Sequence, residues 1–157
     1  MRMRDQAWLE NALVEVWNKH FSDIIRVNPI AIRWGRKSGQ RLGSIILTKE
    51  GVSRITITSL FKDEGIPEYI IYETIAHELI HYIHGFSSKI KRTFKYPHQG
   101  GIIRIEMEKR GLGTTYRKTK TWMRRNWTAY VLAHRRANPP KKRKRPNIKR
   151  FFRIRFV

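Results

Sequence analysis

No cysteine occurs among the 157 residues. That absence excludes a disulfide framework and every thiolate-ligated metal site, so any metal must be held by histidine and carboxylate. It also fits an intracellular protein, in cytoplasm or nucleoid, or in the nucleus of a eukaryote. Long apolar runs are missing as well. None approaches the roughly 18–20 residues that span a bilayer. The opening MRMRDQAWLE turns polar at once, without an apolar h-region, so no secretory signal is expected. A third absence is regional. All 12 acidic residues fall within residues 1–108, beside 16 Lys and Arg, whereas residues 109–157 hold the other 18 basic residues and no acid. The chain reads as a nearly balanced domain followed by a polycation. Its net charge of +22 predicts attraction to polyanions, nucleic acid before anionic membrane.

What is present organises around one helix. An amphipathic helix from Asp5 to about Asp23 carries Leu9, Leu13, Val16 and Trp17 at helical spacing, with His20 as a packed residue rather than a ligand. Three short strands follow in PIAIRWG, RLGSIILT and VSRITITS, separated by hairpin-like turns. The segment DEGIPEYIIYETIAHELIHYIHG then predicts a helix, with Pro67 in its first turn and Gly85 as its stop. A loop rich in Lys and Ser leads to a further helix from His98 to Arg110, ended by Gly111. The fold class expected is α+β.

His77, Glu78 and His81 spell H-E-x-x-H on the central helix. Histidines four apart share a face, so both imidazoles can reach one ion. Glu78 can lean to the same point without ligating and accept a proton from water, the arrangement of a zinc hydrolase. A third protein ligand is needed. His84 shares the face, but position i+7 lies about 10 Å along the axis, too far for one tetrahedral ion. His98, which follows Pro97 and opens the next helix, is the favoured third ligand; a carboxylate such as Glu106 is the remaining candidate. His84 reads instead as a helix-end histidine on the C-terminal dipole.

The order of these features resembles the SprT-like zinc metalloproteases, which include Spartan. The matching stretches are HELIH at 77–81, YPHQGG at 96–101 and RGLG at 110–113, and the likeness runs over roughly residues 5–115. The resemblance implies a zincin-like domain over residues 1–115. It also implies zinc held by His77, His81 and His98, Glu78 as general base, and cleavage of proteins trapped on DNA. Two departures stand out. Gln99 separates His98 from Gly100, and Ile102 and Ile103 occupy the region where the family commonly has Trp. Many members end in a four-cysteine zinc ribbon; here residues 116–157 retain its frame without its ligands, as a basic hairpin or tail. One strand is expected at about Trp127 to Ala133 and its partner at about Phe151 to Val157.

That basic segment interleaves cations with rings, the ingredients of single-strand nucleic-acid binding. The contacts expected are Lys141, Lys142, Arg143, Lys144, Arg145, Lys149, Arg150, Arg153 and Arg155. The run PPKKRKRP would also serve nuclear import. Trp122 and Trp127 read as core. The function expected is a monomeric zinc endopeptidase recruited to DNA, single-stranded DNA above all, or to RNA, with no membrane partner. The main alternative is a nucleic-acid-binding protein whose zinc is structural or regulatory; a metal-dependent nuclease ranks below both. Tyr96, Tyr116 or His84 are candidates for assisting the transition state.

Overall fold

Asp5 opens the first helix, its carboxylate accepting the backbone N–H of Trp8 at 2.8 Å. The computed structural model describes residues 3–139. Helix α1 (Gln6–His20) buries Leu9, Leu13, Val16 and Trp17 on one stripe and closes with the Phe21 N–H on the Trp17 carbonyl at 2.8 Å. It therefore stops short of Asp23. His20 takes no part in a site; its Nδ1 lies 2.8 Å from the Arg110 carbonyl oxygen.

Strands β1 (Ile30–Trp34), β2 (Gly43–Leu47) and β3 (Ser53–Ile57) form a sheet in the order β1-β3-β2. β2 and β3 make the expected hairpin, but β1 does not pair with β2. It runs parallel to β3, with Ile32 opposite Ile55. The correction has a physical basis. β3 alternates buried Ser53, Ile55 and Ile57 with half-buried Arg54 and Thr56, as a central strand does. β2 leaves Ile46 and Leu47 exposed, as an edge strand can.

Helix α2 (Glu68–Ile83) lies against this sheet and α1. Ile70, Ile71, Ile75, Leu79, Ile80 and Tyr82 are wholly buried, so its rotation about its own axis is fixed by the core. Burying a side chain of this size stabilises by about 1.5–3 kcal/mol, which explains why so apolar a helix sits at the centre. Ahead of α3 (Ile102–Lys109) stands a single 3-10 turn, Gln99–Gly101, so this helix begins four residues later than expected. Gly100 and Gly101 have φ of 63° and 70°, a left-handed pair that redirects the chain before the helix starts. Ile102 and Ile103, where the family resemblance called for Trp, are core residues.

Helices α4 (Gly113–Trp122) and α5 (Thr128–Ala137) are joined by a π-helical segment, Met123–Trp127. The strand expected at Trp127 to Ala133 is therefore helical. Its β-branched and aromatic composition suggested a strand, but burial follows helical spacing: Trp127, Tyr130 and Val131 face the body. Trp127 is core, its Nε1–H donating to the Gly39 carbonyl at 2.8 Å and its ring stacked on Tyr130. The Tyr130 hydroxyl donates to Asp63 Oδ2 at 2.9 Å. The strand expected at Phe151 to Val157 lies outside the described residues. No helix among the described residues is long and apolar enough to cross a membrane. The architecture is α+β, a three-stranded sheet packed with helices.

Candidate metal centre

Two of the three convergent histidines are set by α2 and the third by the chain that returns to it. His77 and His81 sit four apart on one face of α2, His77 half-buried and His81 buried. Beyond His84 the helix ends in a Schellman turn: the Gly85 N–H bonds the Tyr82 carbonyl at 3.1 Å and the Phe86 N–H the His81 carbonyl at 2.9 Å. The returning loop is then tied to the sheet. Asn28 Oδ1 accepts from the Lys89 N–H at 3.1 Å, Asn28 Nδ2 donates to Ser53 Oγ at 2.8 Å, and Ser53 Oγ donates to the Ser87 carbonyl at 2.7 Å. Gln99 closes the last turn, its Oε1 accepting the backbone N–H groups of Lys95 at 3.1 Å and Tyr96 at 3.3 Å. Gln99 thus shapes the turn presenting His98.

His98 Nε2 lies 3.3 Å from His77 Nε2 and 3.3 Å from His81 Nε2. All three ligating atoms fall within 4.8 Å of one another. Three nitrogens at 2.0–2.1 Å from a tetrahedral zinc would be separated by about 3.3–3.4 Å. Hydrogen bonding alone cannot account for the cluster. A proton on His98 Nε2 can serve one neighbour, which leaves the other pair of nitrogens facing lone pair to lone pair. A cation satisfies all three. Burial first, then the neighbouring imidazoles, push His77 down to about 3 and His81 to about 4. Both are neutral at pH 7 with lone pairs available. His77, His81 and His98 could therefore hold a metal ion.

Glu78 and His77 line one cleft of about 490 Å³, together with Arg41, Gly43, Glu73 and Lys120. Burial, reinforced by Glu73, raises the Glu78 carboxyl to about 7, against the pull of Arg41. Burial likewise raises Glu73 to about 7, opposed by Lys120. A carboxylate poised near neutrality is suited to proton transfer.

The other candidates lie elsewhere. His84 is the C-terminal cap of α2, its Nε2 3.5 Å from Glu106 Oε1 and its ring edge-on to Phe94. Burial lowers its pKa, against the pull of Glu106. Glu106 is engaged by Arg110 Nε at 3.0 Å. Tyr96 is exposed on the turn before His98, and Tyr116 packs against the core beneath the Lys120 ammonium. The nine basic residues from Lys141 to Arg155 lie outside the described residues. Arg41, Gly43, Glu73 and Lys120 were not legible as site residues. Glu73 alone carried a signal, one turn before His77 on the same helix.

No family model, curated protein or solved structure matches the chain.

Proposed function

We propose that this chain is a zinc-dependent endopeptidase acting on proteins held on nucleic acid, as its resemblance to the SprT-like proteases implies. One observation carries the reading: three imidazoles converge within 4.8 Å, with His98 Nε2 3.3 Å from each of the other two, beside a buried carboxylate at the wall of a substrate-sized cleft. His77, His81 and His98 would hold the ion, and an all-imidazole set without thiolate favours zinc over magnesium or calcium. Zinc bound there supplies Lewis acidity, lowering the pKa of water towards neutrality and polarising a carbonyl.

The chain's own groups do the rest. Glu78 takes the proton of the attacking water on a carboxylate oxygen and delivers it to the leaving amide nitrogen. Arg41 and Lys120 line the same cleft and oppose the upward shift of Glu78 and Glu73 respectively, which favours their ionised forms. The excess of cations in residues 109–157, where no acidic residue occurs, would supply recruitment to a polyanion. Among the described residues, no fourth histidine or carboxylate joins the three-histidine cluster, in keeping with a coordination position left to solvent and substrate.

The test is digestion of a DNA-bound protein by wild type and Glu78→Gln, each with and without single-stranded DNA, with zinc measured on the same samples. Cleavage by wild type alone, stimulated by DNA, with about one zinc in both proteins is the expected result. Zinc and DNA binding in both without cleavage by either would overturn the peptidase reading and favour a binding module.

A further inference from the structure

The cleft beside the three histidines is bordered by one face of α4, through Thr119 and Lys120, and by Met123 at the start of the π-helical segment. The neighbouring face of the same helix lines a second hollow of about 530 Å³, with Tyr69 from α2 forming its far wall. Its composition is specific. Arg117, Lys118 and Arg125 supply the charge, Tyr69 and Trp122 the rings, and no acidic residue lines it. Tyr69 and Trp122 are half-buried, packed on the core on one side and bordering the hollow on the other.

The cations differ in their engagement. Arg117 is paired with Glu108 and reaches Thr114 Oγ1 at 3.4 Å. Lys118 and Arg125 are exposed and, among the described residues, have no carboxylate within salt-bridge distance. The Lys118 ammonium stands 4.3 Å from the centre of the Tyr69 ring. Two cations without a carboxylate partner beside two anchored rings, in a hollow the size of a small-ligand site, match a nucleotide with its base on a ring and its phosphates on the cations. Duplex bases are already stacked and cannot enter, so the ligand must be single-stranded.

We infer that the hollow between Tyr69 and α4 is a binding site for single-stranded nucleic acid, separate from the basic residues beyond 139. It deepens the function proposed above and rests on its nucleic-acid half. The consequence is positional. A helix with its side chains is about 10–12 Å across, so a strand seated here runs within one helix diameter of the metal cleft. A protein attached to that strand is delivered to Glu78, while proteins elsewhere in solution are not.

Crosslinking with the full chain tests this directly. Single-stranded DNA and RNA oligonucleotides carrying 5-iodouracil are irradiated with the protein, and the modified peptides are mapped by mass spectrometry. Crosslinks at Trp122 or Tyr69 in either arm are expected, and the stronger arm identifies the nucleic acid. In parallel, Lys118→Glu/Arg125→Glu is compared with Lys49→Glu/Lys91→Glu, which changes net charge equally at exposed positions outside the hollow. The first pair should weaken single-strand binding about tenfold or more beyond the second. It should also flatten the log–log salt dependence by about 1.4, the share of two phosphate contacts.

Crosslinks confined to residues beyond 139, with both double variants equally affected, would overturn this site while leaving recruitment to nucleic acid intact. Equal affinity for polyglutamate or for duplex would overturn it too, because neither offers an unstacked base. Failure to bind any nucleic acid would remove both this site and the recruitment reading. Binding with the expected crosslinks but without proteolysis would sustain the site and sink only the peptidase.

Discussion

Gly43 has no side chain, yet it decides where Glu78 can sit. A methyl group there would stand 2.7 Å from Glu78 Oε1 and 2.9 Å from Thr74 Cγ2, closer than real contacts allow. Gly43→Ala should therefore push the carboxylate aside and lower kcat about ten- to a hundredfold, with zinc content unchanged. An unaltered kcat would show that the packing of β2 does not position the base. Glu73 makes a second prediction through pH. Its folded pKa, about 7, is raised from an ordinary value of 4.5, chiefly by burial. The stability linked to its neutral form is thus complete below about pH 4.5 and lost as pH rises through 7. Full ionisation costs on the order of 3 kcal/mol. Glu73→Gln should raise the melting temperature of metal-free protein by roughly 5 °C at pH 8 and leave it nearly unchanged at pH 4.5. Equal shifts at both pH values would refute a charge-based origin. His77, Glu78 and His81 were legible because their chemistry depends on spacing along one helix. Gly43 and Arg41 were not, because they reach the site only through the sheet.

At the scale of elements, the third histidine depends on a loop that the sequence marks only by composition. Asn28 lies 61 residues before Lys89 in sequence, yet it bridges the β1 entry to Ser53 and to Lys89.

 No local pattern reveals a contact made over that distance. Asn28 is itself buried, so its loss leaves Ser53 and the Lys89 N–H without their partner. Asn28→Ala should cost about 1–3 kcal/mol in denaturant melts of metal-free protein. It should also weaken zinc binding about tenfold in a chelator competition, because the loop that carries His98 loses its tie to the sheet. Unchanged zinc affinity in a destabilised variant would show that the loop is held by other means. The sheet teaches the same lesson. Its three strands were legible from alternation, whereas the parallel pairing of β1 with β3 is a tertiary choice that alternation does not encode. The helical course of 127–133 was masked by residues that favour strands, and only its burial at helical spacing identifies it.

For the whole molecule, charge and chemistry divide the chain unevenly. The metal cluster belongs to the body, while much of the excess charge follows it in sequence, and α4 carries cations beside both the cleft and the second hollow. Proteolysis of a DNA-bound substrate should therefore fall steeply with salt, whereas cleavage of a free peptide should change little. Parallel salt dependence for the two substrates would argue against recruitment through nucleic acid. The α+β class and the H-E-x-x-H helix could be read from the sequence because each rests on local periodicity. The π-helical join that turns Trp127 into the core could not, since it depends on what the helix packs against. The three imidazoles are the centre of the proposed chemistry, and X-ray absorption at the zinc edge tests them most directly. Wild type should hold about one zinc with three imidazole nitrogens at about 2.0–2.1 Å and one oxygen ligand from solvent, and His98→Ala should lose that signature. A protein without zinc, or one whose spectrum is the same after His98→Ala, would contradict it.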